Sequence, residues 1–118
     1  MAQQIPPELE QELMRYDNLR RQYETLQVAV QSMKTELTEI STTLEELGKT
    51  PDDTVTYKIV GQVMFRVDRS KLIEDLEDRK RTTEIGLESY KKKLEASAEK
   101  LRELQTKIQG ELGKLGVK

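Results

Sequence analysis

Apolar residues recur along the first half of the chain in alternating steps of three and four, and the pattern returns in the last third. The first series is Tyr16, Leu19, Tyr23, Leu26, Val30, Met33, Leu37, Ile40, Leu44 and Leu47. The second is Leu87, Tyr90, Leu94, Leu101, Leu104 and Ile108, with the polar Ser97 at one step and Leu72 and Leu76 before it. This spacing is typical of coiled-coil helices. It predicts helices over about residues 8–47 and about 70–112, each roughly 60 Å long at ~1.5 Å per residue.

Residues that favour helix ends flank both predicted helices. Pro7 suits the first turn, where a missing N–H costs nothing. Gly48, with Pro51 shortly after it, is well placed as the left-handed residue that ends the first helix. Either Asp68 or Ser70 can cap the start of the second helix, which is expected to fray among the glycines near its end.

The segment between the helices, about residues 54–67, has an alternating pattern typical of strands. Its apolar positions are Val55, Tyr57 and Ile59 before Gly61, and Val63, Phe65 and Val67 after it. This predicts a β-hairpin. Because Val60 suits a type I′ turn poorly, a type II turn or a slightly longer loop at Gly61 is expected.

The predicted fold is therefore mainly α, an antiparallel two-helix coiled coil joined by one β-hairpin, in a single domain covering residues 1–118. A lone two-stranded hairpin is marginally stable in water. Its two open edges and its apolar face call for strands from other subunits. The hairpin is thus expected to be an assembly element that forms an intersubunit β-barrel.

Composition excludes several functional classes. The 118 residues include no cysteine and no histidine, which removes disulfides, the usual zinc ligands and the commonest acid–base catalyst. An enzyme, a metal site and a bound cofactor are not expected. The net charge of −2 argues against nucleic acid as the main ligand. No signal-peptide pattern or membrane-length apolar run is present, so a cytosolic protein without membrane attachment is the expectation.

Two apparent motifs do not hold up. Gly48, Lys49 and Thr50 match the end of a phosphate-binding loop, but Thr43 stands where the first glycine should be, and a helix precedes it where a strand should. The run of three lysines at 91–93 is interpreted as a solvated helix face.

The apolar pattern also has irregular points. Leu13, Tyr16 and Leu19 are spaced by three and three, which predicts a local disturbance of the coiled coil and looser packing near the chain ends. In the second helix, the polar residues at or near seam positions are Arg79, Thr83 and Ser97. Imperfect packing and functional flexibility both remain open as explanations.

The order of helix, hairpin and helix, together with two sequence segments, resembles the β class of the prefoldin family. The segments are Pro-Asp-Asp-Thr-Val-Thr-Tyr-Lys-Ile-Val-Gly at 51–61 and Val-Met-Phe-Arg-Val at 63–67. The resemblance covers about residues 5–112. The α class carries two hairpins and a longer middle region, whereas residues 54–67 have room for one.

The resemblance implies an ATP-independent holdase chaperone of the cytosol. In the family, two α and four β subunits join their hairpins into a double β-barrel, from which six coiled coils project. The tips capture unfolded client proteins and pass them to a group II chaperonin. The alternative is a structural or tethering coiled-coil protein that binds one defined partner helix.

Apolar residues near both chain ends are candidates for the client-binding surface, because the predicted chain reversal brings the ends together. They are Ile5, Leu9, Leu13, Met14, Ile108, Leu112, Leu115 and Val117. For Leu9, Leu13, Ile108 and Leu112, simple continuation of the seam is an equally good interpretation. Ile5, Leu115 and Val117 lie beyond the regular pattern and are the better candidates.

Overall fold

The computed structural model describes residues 5–116 and contains two helices and two strands. Helix α1 spans Pro7–Gly48, strand β1 Thr56–Val60, strand β2 Val63–Val67 and helix α2 Arg69–Lys114. The predicted elements and their order are confirmed, with α2 running slightly further than expected. Neither helix has a stretch of described residues apolar and long enough to cross a membrane.

Contacts divide the chain into two compact units. One, the terminal unit, comprises Met1–Val30 and Ser89–Lys118, and the other, the hairpin unit, comprises Gln31–Glu88. The expectation of a single domain stays a prediction.

The seam of α1 keeps its heptad phase through the first turns, contrary to the irregularity predicted at Leu13. From Leu9 the inward positions continue through Glu12 and Tyr16 in steps of three and four, while Leu13 is 37% exposed. Burying Leu13 would have required a change of helical phase between Leu9 and Tyr16. The register is kept instead, and a carboxylate occupies the inward position.

The predicted loose packing near the chain ends is also wrong. Leu9 is only 1% exposed and forms a buried cluster with Leu104 and Ile108. Close packing of this kind is how a coiled-coil seam is stabilised, since each inward side chain is enclosed by residues of the facing helix.

Polar side chains occupy several inward positions of α2. Of the neighbours Arg79 and Lys80, Lys80 is the inward residue and is half-buried. Arg79 is exposed and forms an ion pair with Glu36, with 2.9 Å between Arg79 Nη2 and Glu36 Oε1. Thr83 is half-buried, and Ser97 is buried with no hydrogen-bond partner for its hydroxyl among the described residues. The seam is therefore imperfect at these positions, as the sequence pattern indicated.

The hairpin turn is tighter than predicted. Val60 pairs with Val63 at the ends of the strands, so the loop is only Gly61 and Gln62. Gly61 has φ of +61°, and among the described residues a positive φ is found only at glycines, so Gln62 does not have one. A positive φ at the first central position alone is the pattern of a type II′ turn, which requires glycine there. Val60 lies in the strand, so its poor turn propensity is irrelevant.

Helix ends differ in part from the expectation. Gly48 is the last residue of α1 and does not adopt the left-handed conformation predicted for it. Asp68 directly precedes α2, and its carbonyl accepts the first helical bond from Leu72 N at 2.9 Å. Ser70 lies inside the helix and donates to the Asp68 carboxylate at 2.7 Å. Asp68 is thus the cap.

Candidate assembly and client-binding surfaces

The hairpin carries exposed apolar side chains on both of its faces. Residues directly opposite in an antiparallel pair share a face, and successive residues alternate. The register places Val60, Val63 and Phe65 on one face with Thr56, Lys58 and Val67. The other face carries Tyr57, Ile59, Met64 and Arg66. The two apolar series predicted from the sequence therefore lie on opposite faces and do not form a single apolar face.

These apolar side chains are largely uncovered. Phe65 is 51% exposed, and Ile59 is 69% exposed. The others on the strands are Tyr57, Val60, Val63 and Met64, with Val55 just before β1, each at least 47% exposed. Val67 alone is half-buried. Strands apolar on both faces are typical of sheets buried on both sides.

The sheet contains β1 and β2 alone among the described residues, so the outer edge of each strand has no strand beside it. The base of the hairpin is closed by the buried Thr56, whose hydroxyl donates to the carbonyl of Val67 at 2.7 Å. Open backbone donors and acceptors along a strand edge are a ready template for further strands. The hairpin thus offers two apolar faces and two edges to a partner.

Arg69, the first residue of α2, joins the hairpin base to the end of α1. Its guanidinium donates to the carbonyl of Leu47 at 2.7 Å, to the Thr50 carbonyl at 3.1 Å and to the Thr50 hydroxyl at 3.0 Å. Asp52 lies 3.5 Å away, and the Arg69 side chain is only 14% exposed. The last carbonyls of a helix lack intrahelical partners. Arg69 satisfies one of them, that of Leu47, together with the backbone N–H and the hydroxyl of Thr50.

Sequence reasoning missed Arg69 as a structural residue. The available signal was a cation just after the hairpin, where the chain returns to the carboxyl end of the first helix. No periodic pattern distinguishes this arginine from the other basic residues, because its partners are carbonyl oxygens that every residue has.

The client-binding residues predicted at the chain ends differ in how far they are exposed. Ile5 is 45% exposed and Met14 68% exposed, with Leu13 at 37%. Leu9 and Ile108 are buried in the cluster described above, and Leu112 and Leu115 pack against it half-buried. Val117 lies outside the described residues. Ile5, Leu13 and Met14 thus offer apolar surface in this conformation, whereas Leu9 and Ile108 continue the seam. Leu115, predicted to lie beyond the regular pattern, instead packs against the seam.

A small ionic cluster surrounds the inward carboxylate of Glu12. Lys107 Nζ donates to Glu12 Oε1 at 2.8 Å, and this bond lowers the pKa of Glu12 and raises that of Lys107. Removal from water, followed by a hydrogen bond with Glu12, raises the pKa of Glu111. Glu12 Oε2 is buried and has no hydrogen-bond partner among residues 5–116. Lys107 therefore favours the charged form of Glu12, whereas burial disfavours the charged form of Glu111.

No group of side chains within residues 5–116 has the composition and proximity needed to hold a metal ion.

Comparison with known proteins identifies the family. A family model described as a prefoldin subunit matches residues 10–115. A prefoldin β subunit of Saccharolobus islandicus is 33% identical over 97% of this chain and 90% of its own length. A prefoldin β subunit from Thermococcus gammatolerans is 34% identical over 93% of this chain and 94% of its own length.

The fold agrees with a solved structure of the same family. The crystal structure of the prefoldin β subunit from Thermococcus strain KS-1 matches with a TM-score of 0.82 and 31% identity, covering 94% of this chain and 97% of that one. Both comparisons extend over nearly the whole chain, through the helices and the hairpin alike. The chain therefore belongs to the prefoldin family of chaperone subunits and is similar over nearly its whole length to β subunits of that family.

Proposed function

We propose that this chain is the β-type subunit of a cytosolic hetero-oligomeric prefoldin, which holds unfolded proteins without ATP and delivers them to a group II chaperonin. In this proposal four copies join two α-class subunits through their hairpins. Family membership supports the stoichiometry, the cytosolic location and the chaperonin. The observation that carries the assembly step is the exposure of apolar side chains on both faces of an open-edged hairpin.

Burial on assembly explains why the hairpin is so apolar. Phe65, Ile59 and Met64 are each more than half exposed, and covering such side chains stabilises by about 25 cal/mol per Å² of apolar surface. Strands from neighbouring subunits would cover the faces and pair with the edges together. This supports a β-barrel made from several hairpins, in which neither face nor edge remains open.

The exposed apolar residues near the start of α1 support the client-binding step. Ile5, Leu13 and Met14 are not part of the seam, so they can contact a client without any rearrangement of the coiled coil. Apolar contact requires no specific geometry and suits clients of unrelated sequence. Leu9 and Ile108 would serve only after the seam opens.

Native mass spectrometry of the chain, alone and mixed with an α-class subunit, tests the assembly. We expect a hexameric mass in the mixture. A stable dimer that ignores the α-class subunit would contradict the proposal and support the tethering alternative.

An aggregation assay tests the client-binding residues. It measures how far the assembled chaperone, at a concentration equal to that of a denatured client, suppresses aggregation of that client. The variant Ile5→Ser, Leu13→Ser, Met14→Ser should assemble normally but protect the client much less, because several weak apolar contacts act together. Val28→Ser is the matched control, since Val28 is 70% exposed in the same unit. Full protection by the correctly assembled triple variant would mean that clients bind elsewhere.

The same assay tests independence from nucleotide. Protection should be equal with and without ATP, and a change on adding ATP would contradict the proposed mechanism.

A further inference from the structure

A stripe of basic residues runs along the terminal unit beside the seam. Its members on α2 recur every seven residues, each directly before an inward position, and they are Lys93, Lys100, Lys107 and Lys114. Residues seven apart return to the same face of a coiled-coil helix. On α1 the equivalent positions, directly before the inward Leu9 and Tyr16, are Glu8 and Arg15. We call the four lysines and Arg15 the basic stripe.

The stripe borders a groove with an apolar floor. The groove has a volume of about 290 Å³ and is lined by Arg15, Leu19, Lys100, Glu103, Leu104 and Lys107. Three cations and one carboxylate therefore surround two leucines. Such a groove can take an apolar side chain while the surrounding cations attract negative charge next to it.

Most of the charge on the stripe is not neutralised within the chain. Lys107 pairs with Glu12, and Lys93 lies 5.0 Å from the centre of the Tyr90 ring. Arg15, Lys100 and Lys114 make no ion pair with any residue in the range 5–116. Positions flanking a coiled-coil seam usually carry opposite charges on the two helices. Here Arg15 faces lysines across the groove, in a protein whose net charge is −2.

We propose that the basic stripe is a docking surface for an acidic polypeptide segment that carries leucine-like side chains between its carboxylates. The leucine floor and the intervening Glu103 favour a polypeptide over a nucleic acid, because a phosphate backbone would meet that carboxylate and gain little from the leucines. The lysines recur at roughly 10 Å along the helix, at ~1.5 Å per residue. An extended chain with a carboxylate at every third residue matches this repeat.

The test is the binding of fluorescent peptides to the assembled chaperone, measured by anisotropy. The probe is a peptide of roughly 20 residues that repeats glutamate, leucine and serine, since acidic positions then recur at the stripe's spacing. The neutral probe has glutamine in place of glutamate, and the third probe is a single-stranded oligonucleotide of similar length. We expect the acidic peptide to bind, more weakly as salt rises from about 50 to about 200 mM, and the neutral peptide not to bind.

Two charge-reversal variants distinguish the stripe from general electrostatics. The double variant Lys100→Glu, Lys114→Glu should weaken the binding of the acidic peptide roughly tenfold or more. This loss of affinity is typical of reversing two exposed charges at an interface. Lys91→Glu with Lys92→Glu makes the same change in net charge on other faces of α2 and should alter binding less than about twofold. Lys107 is left unchanged because it pairs with Glu12.

Three results would overturn the proposal. They are equal binding of the acidic and neutral peptides, equal losses in the two double variants, and tighter binding of the oligonucleotide than of the acidic peptide. Circular dichroism of both variants confirms that helix content is retained, so a loss of binding reports on the surface.

Discussion

The hairpin and the terminal unit differ in whether their apolar side chains are buried within the chain. In the terminal unit Leu9, Leu104 and Ile108 cover one another, so the seam is completed within the chain. In the hairpin, Ile59 and Phe65 remain more than half exposed on opposite faces. The first arrangement stabilises the folded chain, and the second leaves a surface that another chain can complete. Apolar residues of similar character thus stabilise the folded chain in one region and remain exposed in the other, where the proposed assembly would cover them.

The largest expected effect comes from placing a charge on the hairpin. Phe65→Asp should prevent assembly with the α-class subunit while leaving the helices formed, because a buried unpaired carboxylate opposes closure of any barrel. Native mass and circular dichroism measure the two parts. Ile85→Asp is the control, since Ile85 is 73% exposed on α2. This variant should assemble normally. If the Phe65→Asp variant still reached the full mass of the assembled complex, the exposed hairpin residues would not be needed for assembly, and this contrast with the terminal unit would be wrong.

Shortening the most buried side chain should lower stability without removing assembly. Leu9→Ala should reduce the free energy of unfolding by about 2–4 kcal/mol, from lost burial and the cavity that remains. Met14→Ala, at a position 68% exposed, should change it by less than about 0.5 kcal/mol. Urea denaturation of the assembled protein provides both values. Equal effects at the two positions would show that the terminal seam is not packed as described.

Arg69 acts within the hairpin unit, where it holds the hairpin base to the end of α1. Arg69→Met should destabilise the chain by about 1–3 kcal/mol, because the carbonyls of Leu47 and Thr50 lose a charged donor. Arg79→Met removes an exposed pair with Glu36 and should cost at most about 1 kcal/mol. Thermal unfolding compares the two variants. Assembly yield should also fall only for Arg69→Met, if the hairpin must be held in place to meet its partners.

The smallest effect expected is on the pH dependence of the terminal unit. Since the pKa of Glu12 is lowered by Lys107, its contribution to stability is present above its unfolded pKa and is lost as pH falls through the folded value. Glu12→Gln should therefore unfold at a lower temperature than the parent at neutral pH, with the difference shrinking in acid.

Glu111 should behave in the opposite sense, because burial and Glu12 raise its pKa. Its protonated form is favoured in the fold, so the stabilisation is present in acid and is lost as pH rises through the folded value. Glu111→Gln should raise the unfolding temperature at neutral pH. Thermal unfolding followed from acid to neutral pH distinguishes the two variants, and parallel curves would show that the carboxyl groups do not interact.

Sequence periodicity alone determined the two helices, the single hairpin and their approximate bounds. Steps of three and four, and the alternation around Gly61, are properties of one segment at a time, and backbone geometry converts them directly into helix and strand. The family could be identified from the same local features, because the hairpin segments at 51–61 and 63–67 carry the resemblance.

Only the tertiary structure decided which residues meet. The inward position of Glu12 instead of Leu13, the two-faced hairpin with its type II′ turn, and the bonds of Arg69 to Leu47 and Thr50 could not be read from the spacing. Each depends on the phase of one element relative to another, or on carbonyl oxygens that every residue possesses. Side-chain type sets the tendency to be buried, whereas the register between segments far apart in sequence selects the side chain that is buried.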